Sequence, residues 1–274
     1  MKTIRWMMMA AVLMLAVSCC DKTASKTLVL YYSQTGTTQI VAEELQGRLG
    51  ADIEEILPTV PYETDFQATI QRGQKEMTEG NWPEIQPLKS KIKNYDVIFL
   101  GFPVWFGTYA NPIETVLKTV DFSGKTVVPF CTFGSGGLES STQAIREHLP
   151  DATVLDGYGV RAARVEAVPG ELDRFLAEKG FLDTEVEPLA DFPELHPVTE
   201  EEAEIFRAAI STYPMMMGAQ ASEVAARAVP GGMEYRFKAA DAPRGNMPMP
   251  AGPGYEVYVL DLEGQDPVFT RAVR

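Results

Sequence analysis

Residues 33–38 read Ser-Gln-Thr-Gly-Thr-Thr, four hydroxyl side chains and one glycine in six positions. The hydroxyls of Ser33, Thr35, Thr37 and Thr38 can each donate a hydrogen bond. The apolar run Leu28-Val29-Leu30-Tyr31-Tyr32 precedes them, and a helical pattern starts at Gln39-Ile40-Val41-Ala42. Strand, hydroxyl-rich loop and helix start together build an anion pocket, because free N–H groups and the helix dipole face the ligand. The loop holds no Lys or Arg, so the Lys and Ser/Thr pair of a triphosphate- and magnesium-binding loop is missing, as is a G-x-G-x-x-G dinucleotide turn. A cation-free hydroxyl nest suits one terminal phosphate held by neutral donors, as in FMN. The competing reading is a helix start capped by Thr37 or Thr38.

The segment resembles the signature of the flavodoxin family, in which an apolar first strand leads into Ser/Thr-x-Thr-Gly-x-Thr. The resemblance implies a noncovalent FMN site in which Ser33, Gln34, Thr35, Gly36, Thr37 and Thr38 hold the phosphate. It covers residues 26–185. Two further loops fall where such a site needs them: one from Gly101 to Tyr109, the other from Thr132 to Gly137. A flat, apolar ring with polar edges is held by aromatic stacking and backbone hydrogen bonds. Trp105, Phe106 and Tyr109 are the stacking candidates, with Pro103 and Val104 beside them. Thr132, Phe133, Gly134, Ser135 and Gly136 form the second wall, where the small residues permit close backbone approach. The second aromatic face comes from Tyr109 or Phe133, and the residues leave that choice open. Gly107 resembles the family position whose peptide can turn its carbonyl toward the ring on reduction.

The elements that would position these loops alternate along the chain. Strands are expected at 27–32, 52–57, 96–100, 125–131 and 153–155. Helices are expected at 38–49, 66–78, 112–120, 138–148 and 169–179, with Asn111 as the N-cap of the third and Pro112 in its first turn. The run Val97-Ile98-Phe99-Leu100 suits a central strand buried on both faces. The fold class is therefore α/β, a doubly wound parallel sheet. The resemblance implies five strands in the order 2-1-3-4-5, with FMN at their carboxyl ends.

The alternation stops at 183–197, where Pro188, Pro193 and Pro197 stand among acidic residues. Residues 197–274 read as a small module of one helix and an antiparallel sheet. Thr199 and Glu202 form a capping box for its helix, and strands are expected near 234–238 and 256–261. No chemical motif stands in this module, and Met215-Met216-Met217 reads as core filling.

At the other end, Lys2 and Arg5 precede an apolar stretch from Trp6 to Val17, then Ser18-Cys19-Cys20. Residues 1–20 read as a secretory leader resembling that of bacterial lipoproteins. The expected location is the bacterial cell envelope, lipid-anchored or periplasmic, with membrane contact only through an N-terminal lipid on Cys19 or Cys20.

Net charge is −14 with only 24 Lys and Arg among 274 residues. That excludes a basic nucleic-acid footprint and favours a basic redox partner. Cys131 is the one cysteine in the body of the chain, and His148 and His196 lie apart, so no metal ligand set or catalytic residue is expected. With no protein nucleophile or acid–base pair, the chemistry falls to the cofactor. Electron transfer is the expected function. The alternatives are an FMN-dependent NAD(P)H:quinone or nitro-compound reductase and, less favoured, an envelope binding protein that has lost its flavin.

Overall fold

The computed structural model describes residues 25–211, 213–241 and 254–273. The leader expected at residues 1–20 lies outside them. The first module runs β1 (Thr27–Tyr31), α1 (Thr37–Leu49), β2 (Asp52–Glu55), α2 (Phe66–Glu79), β3 (Val97–Trp105), β4 (Thr108–Tyr109), α3 (Asn111–Thr119), β5 (Thr126–Phe133), α4 (Leu138–His148), β6 (Thr153–Val154), β7 (Tyr158–Arg161) and α5 (Val168–Glu178). The parallel strands stand in the order β2-β1-β3-β5-β6, while β4 turns back antiparallel onto β3 and β7 lies parallel beside β5. Apart from the two-residue hairpin strand β4, this is the expected 2-1-3-4-5 arrangement. Its fifth position is split into β6 and β7.

Successive strand residues point to opposite faces of a sheet, and each face has its own core. Leu28, Leu30, Ile98, Leu100 and Val127 pack with Ile113, Val116 and Ile145 of α3 and α4. Val29, Tyr31, Phe99, Val128 and Phe130 pack with Val41, Ala42 and Leu45 of α1 and with Leu172 and Leu176 of α5. Gly101 has no side chain for a steric reason: a Cβ there would lie 2.0 Å from the ring of Phe130 on the neighbouring strand.

Most boundaries shift by one or two residues from expectation, and two differences bear on the site. β3 continues past Leu100 to Trp105, because its carboxyl end pairs with both β5 and β4. Helix α3 begins at Asn111, and Ala110, not Asn111, is the residue at its cap. The Asn111 amide instead donates to Gly73 O (3.0 Å) and Glu76 Oε2 (2.8 Å), tying α3 to α2.

The second module comprises β8 (His196–Pro197), α6 (Glu200–Ile210), β9 (Gln220–Val229), β10 (Gly232–Ala240), β11 (Tyr255–Leu262) and β12 (Val268–Val273). Its strands form a separate antiparallel sheet in the order β12-β11-β10-β9-β8. The expected Thr199–Glu202 capping box is present at α6. Phe206 and Ile210 of α6 pack against Val224, Phe237, Val257, Val259 and Phe269 of the sheet. Of the three consecutive methionines only Met216 enters this core; Met215 and Met217 are 75% and 66% exposed, which corrects the expectation of a filled gap.

Candidate functional site

The hydroxyl loop follows directly from β1. Gly36 stands at the cap of α1 at φ 84°, and Thr37 and Thr38 lie inside the helix, so the reading of either as its capping residue fails. Positive φ is a conformation that glycine adopts at no steric cost. Thr35 and Thr37 place their Oγ1 atoms 3.0 Å apart at the mouth of the loop. No acidic residue stands in the first turn of α1. Ser33 Oγ accepts the Gln39 N–H at 3.3 Å, which closes the loop onto the helix.

Two of the six loop residues are turned inward. Thr38 Oγ1 lies 2.8 Å from Thr132 Oγ1 on β5, and both residues are buried. That pair locks the first loop to the third. Gln34 accepts from the Tyr32 hydroxyl and donates to Glu63 O at 3.0 Å, so it staples the hydroxyl loop to the segment after β2.

Beyond β3 the chain makes a tight hairpin into β4, pairing Val104 with Tyr109 and Trp105 with Thr108. The two turn residues, Phe106 and Gly107, have φ of 52° and 84°. Two-residue hairpin turns of this kind need positive φ at both positions. Phe106 is 43% exposed, and its ring lies over Gly73 of α2, which has no side chain to obstruct it. The Gly107 carbonyl accepts from Ser140 Oγ at 2.6 Å, anchoring the turn to α4. Gly137, at the start of α4, faces Val104 so closely that a Cβ would sit 2.6 Å from its side chain.

Trp105 is half-buried beside two tyrosines. Its ring meets Tyr62 edge-on at 4.9 Å and Tyr32 at 5.8 Å. Arg72 lies 4.0 Å over the Tyr62 ring, donates to Glu76 Oε1 at 2.8 Å, and also binds Val60 O and Pro61 O. The Tyr62 hydroxyl donates to Glu76 as well. Burial pushes the Tyr32 phenol up, and burial with Glu76 does the same for Tyr62, so both stay neutral donors. Arg72, Glu76 and Asn111 carried no sequence signal as site residues. Only the spacing of Arg72 and Glu76, four apart on one face of α2, hints at a shared task.

Three expected ring contacts are placed elsewhere. Tyr109 is buried, with its hydroxyl donating to Glu114 Oε2 at 2.6 Å. Burial alone would raise the Glu114 carboxyl, but the Tyr109 hydroxyl and Lys118 outweigh it and hold the group below the usual carboxylate range. Phe133 is buried against Gly159 of β7. Neither ring presents a free face, so the choice left open between them resolves to neither. Gly136 does permit a close backbone approach, but the approaching group is the Ala272 carbonyl of β12: a Cβ at Gly136 would lie 2.1 Å from that oxygen. Cys131 is buried beneath this loop, and burial pushes its thiol well up, so it is not a nucleophile.

Against protein-family models, residues 26–168 match the flavodoxin model. The chain belongs to the flavodoxin family. Among curated relatives, Flavodoxin 1 of Shigella flexneri is 26% identical over 160 residues, covering 57% of this chain and 74% of that protein. Flavodoxin 1 of Salmonella typhimurium is 26% identical over 162 residues, 57% of this chain and 75% of its own. Among solved structures, a putative flavoprotein from Bacteroides eggerthii is 33% identical, with a TM-score of 0.48 over 55% of this chain and 97% of that one. A Lactobacillus acidophilus flavoprotein, solved in complex with FMN, is 27% identical, with a TM-score of 0.47 over 55% and 98%. The flavodoxin match ends before the second sheet begins.

FMN is the cofactor of this flavodoxin domain, and the donor set fits it. A glycine-capped helix start, two hydroxyls 3.0 Å apart and the absence of an acidic first-turn residue suit one phosphate.

Proposed function

We propose that this protein is an electron-transfer flavoprotein that exchanges electrons with a basic partner protein. The observation that carries the reading is the glycine-capped start of α1 beside the Thr35–Thr37 hydroxyl pair. When bound, FMN supplies the redox chemistry. The chain's own residues bind and orient it. Thr35, Thr37 and the first N–H groups of α1 hold the phosphate. Trp105, propped edge-on by Tyr62 and Tyr32, offers the ring its apolar neighbour, and Ser140 holds the Gly107 peptide of the adjacent turn. The net charge of −14 supports docking to a basic surface, which speeds encounter at low salt.

Purified protein is expected to be yellow and to release on heating a flavin that co-migrates with FMN. Potentiometric titration should resolve two one-electron steps, and NADPH should be oxidised slowly unless a partner reductase is added. Colourless protein that takes up no added FMN sinks the cofactor assignment. Rapid NADPH-dependent quinone reduction by the protein alone makes it a reductase instead.

The leader-like residues 1–20 support an envelope location. Intact mass of the mature protein should correspond to a lipid-modified start at Cys19 or Cys20. An unmodified start further along the chain would mean simple secretion.

A further inference from the structure

The loop Gly134–Gly136, expected from the sequence to flank the flavin, is held from both sides by groups outside it. From below comes Arg161, the last residue of β7. It is 6% exposed, and its Nε donates to Gly134 O at 2.8 Å. The other arm of the same guanidinium donates to Phe269 O of β12 at 3.0 Å. The guanidinium lies 4.5 Å from the Phe269 ring and 5.0 Å from the Tyr213 ring, so the C-terminal module supplies its apolar surround. From the other side comes β12 itself. Its Ala272 N–H donates to Ser135 O at 2.5 Å, and its Ala272 carbonyl fills the space in front of Gly136. A longer ion pair, Arg271 to Glu139 at 3.9 Å, joins the same strand to the first turn of α4.

A planar guanidinium with a fork of donors can bridge two carbonyls on different elements, which a lysine ammonium does less well. Once buried, such a cation is costly unless both bonds form. Arg161 therefore makes the position of the loop and the docking of β12 depend on each other.

We propose that the C-terminal sheet is a wall of the flavin site, with Arg161 as its positioning residue, so that FMN binding and the docking of β12 on Gly134–Gly136 strengthen each other. This rests on the FMN reading above. Coupling of two events is reciprocal: what FMN does to docking, docking must do to FMN. The effect reaches the ring side of the site and leaves the phosphate loop alone, so it acts on riboflavin as much as on FMN.

The test uses the full chain with Gly136→Ala, Arg161→Met and Arg161→Lys. Gly136 does not have positive φ, so alanine there meets no backbone strain and only the Ala272 oxygen. In the wild type, added FMN should slow hydrogen exchange at the Ala272 amide. Gly136→Ala and Arg161→Met should each raise the Kd for FMN and for riboflavin by the same factor, about fivefold or more for a coupling of the usual size. Both should alter the visible circular dichroism of bound flavin, and Arg161→Lys should fall between them and the wild type. If Arg161→Met does not fold, Gly136→Ala carries the test. Wild-type protein that binds FMN with unchanged Ala272 exchange, or a folded Gly136→Ala variant with wild-type affinity and spectrum, overturns this inference and leaves the FMN reading standing. Wild-type protein that takes no FMN brings down both.

Discussion

Alanine at Gly101 is expected to destabilise the protein at or above the usual overpacking range of about 1–3 kcal/mol. Gly101 stands between Tyr31 on β1 and Phe130 on β5 in the register of the central sheet. The ring of Phe130, itself fully buried, occupies the place of the missing side chain, with three ring carbons within 2.6 Å of an added Cβ. A close-packed interior cannot absorb that volume without moving the strand. The strand that moves is β3, which delivers Pro103, Val104 and Trp105 to the site. Denaturant midpoints measure the cost. Pairing Gly101→Ala with Phe130→Leu should recover part of it, because the smaller side chain vacates space, and contacting residues couple in this way. A single alanine variant as stable as the wild type would remove the steric explanation for the glycine.

Thr35→Ala and Thr37→Ala are expected to separate FMN from riboflavin. In the proposed phosphate site each would remove a hydroxyl donor to a charged group, worth about 1.5–3 kcal/mol. Riboflavin has no phosphate, so its affinity should stay put. The 3.0 Å contact between the two hydroxyls means that each orients the other. The double variant should therefore lose less than the sum of the singles. Isothermal titration with both ligands decides the matter, and equal losses for FMN and riboflavin would contradict the phosphate role. Ser33 and Thr38 make useful contrasts. Ser33 accepts a backbone N–H and Thr38 bonds Thr132, so alanine at either should register as lost stability as well as lost affinity.

The parallel sheet was legible because its signals are strong and local. A continuous apolar run between Asp96 and Gly101 has few readings other than a central strand. Glycine after each of helices α1 and α2 marks their ends at left-handed caps. The hydroxyl loop was legible for the same reason, since its chemistry and its place after β1 are adjacent in sequence. What escaped the sequence depends on neighbours far along the chain. β3 runs on through Gly101 and Pro103, two residues that ordinarily punctuate structure, because β4 and β5 pair with it there. β9, with Ala221, Glu223, Ala225, Ala226 and Arg227, has the composition of a helix, but β8 and β10 on either side make it a strand. Tyr109 and Phe133 look like ring-stacking residues by position, yet Glu114 and Gly159 draw them into the core. Gly136 reads in sequence as a point of close approach to a flavin ring, whereas the group in front of it is the Ala272 carbonyl of β12, which nothing nearby in sequence names.

A sheet that ends in open strands invites lateral pairing with other chains. The C-terminal sheet has two ends. One is β8, two residues long and closed by Pro197, which has no N–H to offer. The other is β12, whose Ala272 N–H and Phe269 carbonyl are already taken by Ser135 and Arg161. The bonds that hold Gly134–Gly136 against β12 thus also blunt a sticky edge. Loosening it should cost the protein solubility at high concentration, because the strand it releases is a template for aggregation.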